Sequence, residues 1–145
     1  MITSTSAMRQ ASLTAGVALA LMAVLGGFAA LGVIDPMITT GDAIGTAQRI
    51  AASSTLFRFG IACLVTVVVL DVIVAIALFT VFARTDPMVA ATAAGFRVAY
   101  ATVYLVAISQ LVQAVRLLDE PAEAVRAVGA YTTVWNMALI LFGVH

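Results

Sequence analysis

Lysine is absent from the 145 residues, and only seven arginines and seven acids are present, so charged side chains make up 10% of the chain and the net charge is zero. A soluble domain of this size carries about 25% charged and about 45 to 50% apolar residues. Here 63% are hydrophobic and the mean hydropathy is +1.15, which excludes an ordinary soluble fold. The arginines are scattered, so no basic face exists for nucleic acid. The single cysteine, Cys63, excludes a disulfide framework and any Cys-x-x-Cys redox pair. The single histidine, His145, offers no ligand set for haem or metal, and neither cofactor nor metal is expected. A glycine-rich phosphate loop, a Gly-x-Ser-x-Gly turn and a His-Glu-x-x-His helix are all missing, so the sequence names no catalytic residue and an enzyme is not expected.

What the chain has is long apolar runs. Gln10 to Ile34 carries no charge over about 25 residues, longer than the roughly 7 to 15 of a signal peptide core, and reads as a retained first span. Proline lacks an N–H and suits the first position of a helix, with an acid before it as a cap. Asp86-Pro87 and Glu120-Pro121 therefore open helices. Asp35-Pro36 is expected to close the first one, because a residue before proline is pushed out of the α region. The expected spans are about 10–34, 57–82, 87–118 and 121–144, within a single membrane domain over 1–145. Short connections make the fold class an all-α, polytopic, antiparallel bundle of four transmembrane helices.

Between the first two spans, Ile44, Ala47, Ile50 and Ala51 recur at helical spacing while Thr46, Arg49 and Ser53 fall away. With Asp42 as its cap, a short interfacial helix over about 42–54 is expected along the membrane surface. Gly26-Gly27, with Gly16 and Ala20, is expected to let helix one approach a neighbour closely. The arginine count decides neither orientation, with Arg9, Arg84 and Arg97 towards the N-terminal side and Arg49, Arg58, Arg116 and Arg126 towards the other. The acids Asp35, Asp42, Asp119, Glu120 and Glu123 gather on that second side, and the N-terminus is read as cytoplasmic.

Asp71 lies mid-span in the run Val67-Val68-Val69-Leu70-Asp71-Val72, where a carboxylate costs about 2.5 to 3.5 kcal/mol and needs a partner, water or a proton. In a hairpin turning near Thr85, Asp71 and Arg97 centre on residue 84 and lie at nearly equal depth, about 15 Å from the turn. An arginine fork can grip a carboxylate bidentately. Such a pair either locks the register of two helices or lines a polar cavity for a substrate, a proton or an anionic headgroup. Tyr100 and Tyr104 share the face of Arg97 and could extend the network. Thr102, Ser109, Gln113 and Arg116, with Gln110 beside them, form a second polar stripe, which predicts a central helix three. Gln110, Gln113 and Asn136 are expected to bond between helices, and Tyr131 and Trp135 to stack on one face.

The segments Gly41-Asp42-Ala43, Thr46-Ala47, Ile50 and Leu56-Phe57-Arg58-Phe59-Gly60, followed by Asp71 and by Phe96-Arg97, resemble bacterial membrane proteins grouped as domain of unknown function 4386. The resemblance runs from Arg9 to His145. It implies six or seven helices, of which this chain would hold a truncated or minimal set, and points to Asp42, Arg58, Asp71 and Arg97 without supplying a reaction. The expected function is a non-enzymatic structural or accessory subunit of the bacterial inner membrane, partnered by lipid and by a second copy or another membrane subunit. The alternative is a small carrier with Asp71 in a hydrated cavity. A lipid-directed enzyme at Asp42 and Arg58 is disfavoured, because no nucleophile and base are visible.

Overall fold

The computed structural model describes residues 2–39 and 42–141, and every regular element among them is helical. The expected end of the last helix at 142–144, with His145 and Gly41, lies outside the described residues. Helix α1 (Ile2–Gly27) passes into a π-helical segment (Phe28–Ile34) and then α2 (Asp35–Met37) without leaving the right-handed region at either junction. The first rod therefore starts earlier than expected, and Asp35-Pro36 does not close it. In the π segment the Asp35 N–H donates to the carbonyl of Ala30, five residues back. The wider turn takes up the missing N–H and the ring of Pro36, which a regular α-helix would meet as a clash one turn earlier. The rod ends at Ile38, whose backbone is extended.

Helix α3 (Ala43–Ala52) is capped by Asp42, whose side chain accepts the Gly45 N–H at 2.8 Å. Its buried face is Thr46, Ala47 and Ile50, whereas Ile44 and Ala51, expected to share that face, are exposed. Thr46 is drawn inward because its hydroxyl accepts from the Thr39 N–H and donates to the Thr39 carbonyl, pairing backbone that no helix satisfies. Ser53 alone separates α3 from α4 (Ser54–Phe82). Asp86 opens α5 (Pro87–Arg116) as expected, with its carboxylate accepting the N–H groups of Met88 and Val89 at 3.0 Å each. At α6 (Pro121–Leu141) it is the backbone carbonyl of Glu120 that accepts, from Glu123 and Ala124.

α4 packs against α1 and the π segment on one side and α5 on the other, α5 also packs on α6, and α3 lies on α6. The core gathers at one end, where Val33, Ile34, Phe57, Leu64, Ile108 and Leu111 are buried together. Many of the buried positions are alanines, including Ala101, Ala107 and Ala114, while Val24, Leu31, Val69, Ile76, Val89 and Phe96 point outward. Small residues inside with large apolar ones outside is the pattern for lipid, which gives no hydrophobic drive to bury a leucine but rewards close helix packing. Three helical stretches among the described residues are long and apolar enough to cross a membrane: Ser6–Met37, Ser54–Phe82 and Pro87–Arg116.

The close approach of helix one occurs elsewhere than expected. A Cβ on Gly16 or Gly27 would meet nothing, and on Gly26 only ordinary contact, but on Gly60 of α4 it would come to 3.0 Å from Val33 Cγ1 in the π segment. Overpacking typically costs about 1 to 3 kcal/mol, whereas an open helical glycine gains about 0.8 to 1 kcal/mol on becoming alanine. Gly60→Val is therefore expected to lower the melting temperature of the purified protein and Gly16→Ala to leave it level or raise it. Equal responses would remove the Gly60 contact as a packing constraint.

Candidate functional site

Asp71 sits halfway along α4 and is almost wholly buried, with its side chain 4% exposed, and Arg97, in the second quarter of α5, is 30% exposed. They are joined by one bond, Arg97 Nε donating to Asp71 Oδ1 at 2.5 Å, rather than by the expected two-pronged fork. Sharing a single bond leaves the outer part of the guanidinium turned to a groove of about 650 Å³ beside the pair. Both residues line that groove with Tyr100 beside them, Phe79 and Phe96 are among its apolar walls, Met22 reaches in from α1, and Thr85 and Asp86 stand at the α4–α5 connection. Between Ala90 and Ala101, α5 has no fully buried residue, and the groove runs along this stretch up to the α4–α5 turn.

Tyr100 lies within electrostatic reach of both members of the pair. From it an aromatic cluster runs towards the core: Tyr100 to Tyr104 at 6.1 Å between ring centres, Tyr104 to Trp135 of α6 at 4.6 Å, and Tyr100 to Trp135 at 6.4 Å. Tyr104 and Tyr131 of α6 lie within electrostatic reach of each other. Trp135 thus packs across to α5 rather than stacking on Tyr131 along its own helix. The four-residue spacing of Tyr131 and Trp135 marks a shared face but carries no information about which helix meets it. Sequence reasoning missed the contact of Trp135 with Tyr100 and Tyr104 for that reason.

A second, smaller groove of about 340 Å³ is lined by Arg58 and Ile61 of α4 and by Val112, Val115 and Arg116 of α5. Asp42 is not part of it. Its carboxylate caps α3 and lies 3.6 Å from Arg49, whose Nη2 donates to Thr39 Oγ1 at 2.6 Å. The expected Asp42 and Arg58 motif is therefore two separate sites, one holding α3 to the end of the first rod and one open between α4 and α5.

Across residues 14–145 the chain matches the family described as "Domain of unknown function (DUF4386)". The chain belongs to the DUF4386 family. No curated protein and no solved structure matches it. The matched segment of this DUF4386 chain holds Asp71 and Arg97, the aromatic cluster and both arginines of the second groove.

The remaining polar candidates fall outside these sites. Thr102 and Ser109 are exposed, and their hydroxyls donate to the carbonyls of Val98 and Val106 on their own helix. Gln110 reaches only Ser109 beside it, at 3.5 Å, while Gln113 and Asn136 are exposed. Among the described residues, Gln110, Gln113 and Asn136 therefore make none of the expected bonds between helices. A hydroxyl can satisfy itself on the preceding turn, so a polar stripe need not face another helix. α5 is central in contact, between α4 and α6, but through its alanines with Tyr104, Ile108 and Leu111 rather than through that stripe.

Proposed function

We propose that this DUF4386 chain is a non-enzymatic membrane subunit whose Asp71–Arg97 pair holds α4 and α5 in register. One observation carries the reading: the most deeply buried charge is bonded to a charge on the neighbouring helix, 26 residues on. A carboxylate committed to arginine at that depth is serving helix association. In this reading α6 is a fourth span, since its 21 residues extend about 32 Å against a hydrocarbon core of about 30 Å. Consecutive spans run antiparallel, α3 lies in the interface, and the N-terminus faces the cytoplasm of a bacterial cell. The outward apolar faces of α1, α4 and α5 meet lipid, a second copy or another membrane subunit. Native mass spectrometry after gentle extraction from the host membrane is expected to show a stoichiometric second copy or membrane partner. A lone chain throughout would overturn the accessory role.

The groove supports a second reading, a small carrier, because Asp71 and Arg97 line a space of about 650 Å³ large enough for a small solute. That reading requires Asp71→Asn to keep the helical fold and abolish proton or cation flux in liposomes. Unchanged flux would take Asp71 out of any transport mechanism.

A further inference from the structure

The second groove carries a charge pattern that the first does not. Arg58 stands on the second turn of α4 and Arg116 is the last residue of α5, so both lie where two apolar helices leave the hydrocarbon. Arg49, Arg97 and Arg126 each pair with an acid, but among the described residues neither Arg58 nor Arg116 has an acid within ion-pair distance. Asp119 and Glu120 follow Arg116 closely in sequence and still make no such pair. The groove therefore has two positive charges at its rim, no acid in its lining, and a floor of Ile61, Val112 and Val115.

We propose that this groove binds an anionic phospholipid, with its phosphate between Arg58 and Arg116 and the start of an acyl chain along the aliphatic floor. Guanidinium groups match phosphate oxygens in a two-pronged geometry, and basic pockets between membrane helices are suited to acidic headgroups. A headgroup is favoured over free phosphate because the apolar floor adjoins the charges and would be wasted on an inorganic ion. The inference rests on the chain lying in a bilayer, but not on the role given to Asp71 and Arg97.

The test is native mass spectrometry of the detergent-purified protein titrated with dioleoylphosphatidylglycerol, dioleoylphosphatidylcholine or inorganic phosphate. The expected result is one phosphatidylglycerol retained at least about tenfold more tightly than phosphatidylcholine. Arg58→Gln with Arg116→Gln should bring the two lipids level. Arg49→Gln with Arg126→Gln removes the same charge from paired arginines and should leave the preference in place. Circular dichroism of both variants confirms that the helices persist. Equal retention of the two lipids, or a preference lost alike in both double variants, overturns the site. Displacement of the lipid by equimolar inorganic phosphate would mean a free-anion site and overturns the lipid as occupant. Failure of the protein to insert into liposomes would instead overturn the membrane reading itself.

Discussion

Replacing either member of the buried pair alone, as Asp71→Leu or Arg97→Leu, is expected to destabilise the purified protein by about 3 kcal/mol, while replacing both should cost much less than the sum. The single exchanges are damaging because each leaves a charge without its partner. Asp71 has 4% of its side chain exposed and packs among the aliphatic residues of α4, so it cannot turn to water without moving the helix. Arg97 is 30% exposed and can tilt into the groove, which keeps the expected loss near the lower end of the 3 to 5 kcal/mol typical of a broken buried pair. Two leucines remove both desolvation costs together and fill the volume with carbon. A coupling of about 3 kcal/mol in the double-mutant cycle, read from denaturation in detergent and leaving the double variant no less stable than either single one, is the expected figure. Strictly additive losses would show that the bond between Nε and Oδ1 contributes nothing beyond its parts, and the register role would fall.

That pair could be read from the sequence because it depends on one number. A short connection near Thr85 fixes which residues of α4 and α5 stand at equal depth, and only one acid and one base occur there. The openings of α5 and α6 were equally legible, since proline at the first helical position is a local property. Asp35-Pro36 was not, although it contains the same dipeptide. Its outcome depends on whether the preceding turn widens, and nothing in Phe28–Ile34 announces a π-helical pattern. Thr46 was misplaced for a related reason: a hydroxyl counts as polar in any periodicity, yet here it is buried because the backbone at Thr39 needs it. The stripe of Thr102, Ser109 and Gln113 misled in the opposite direction, because hydroxyls bonded to their own helix can face outward at little cost. A cavity at Asp71 was one of the two expectations for the pair, but its lining, and the whole of the groove at Arg58 and Arg116, depend on how side chains of separate helices pack together rather than on any local pattern.

Whether the larger groove holds water or lipid separates the two readings of its charged pair, and its lining predicts lipid. Asp71, Thr85, Asp86, Arg97 and Tyr100 are its polar groups, and the charge of Asp71 is already met by Arg97. The rest of the wall is aliphatic or aromatic. A cysteine placed in the groove should therefore behave as one on the lipid-facing side of α4. The probe is Ala94→Cys, half-buried on the groove wall about 14 Å from Thr85 by helical rise, in a Cys63→Ala background so that no other thiol competes. Val69→Cys on the outer face of α4 and Thr85→Cys at the mouth set the two limits. A charged methanethiosulfonate reagent needs a thiolate in contact with water, so its reaction at residue 94 is expected to be at least about tenfold slower than at residue 85, and close to that at residue 69. An apolar maleimide should reach residue 94 readily, which shows that the position is accessible from the bilayer. A rate at residue 94 matching the mouth would mean that water fills the groove down to Arg97. In that case Asp71 faces an aqueous path, the helix-locking role no longer accounts for the cavity beside it, and the carrier reading takes its place.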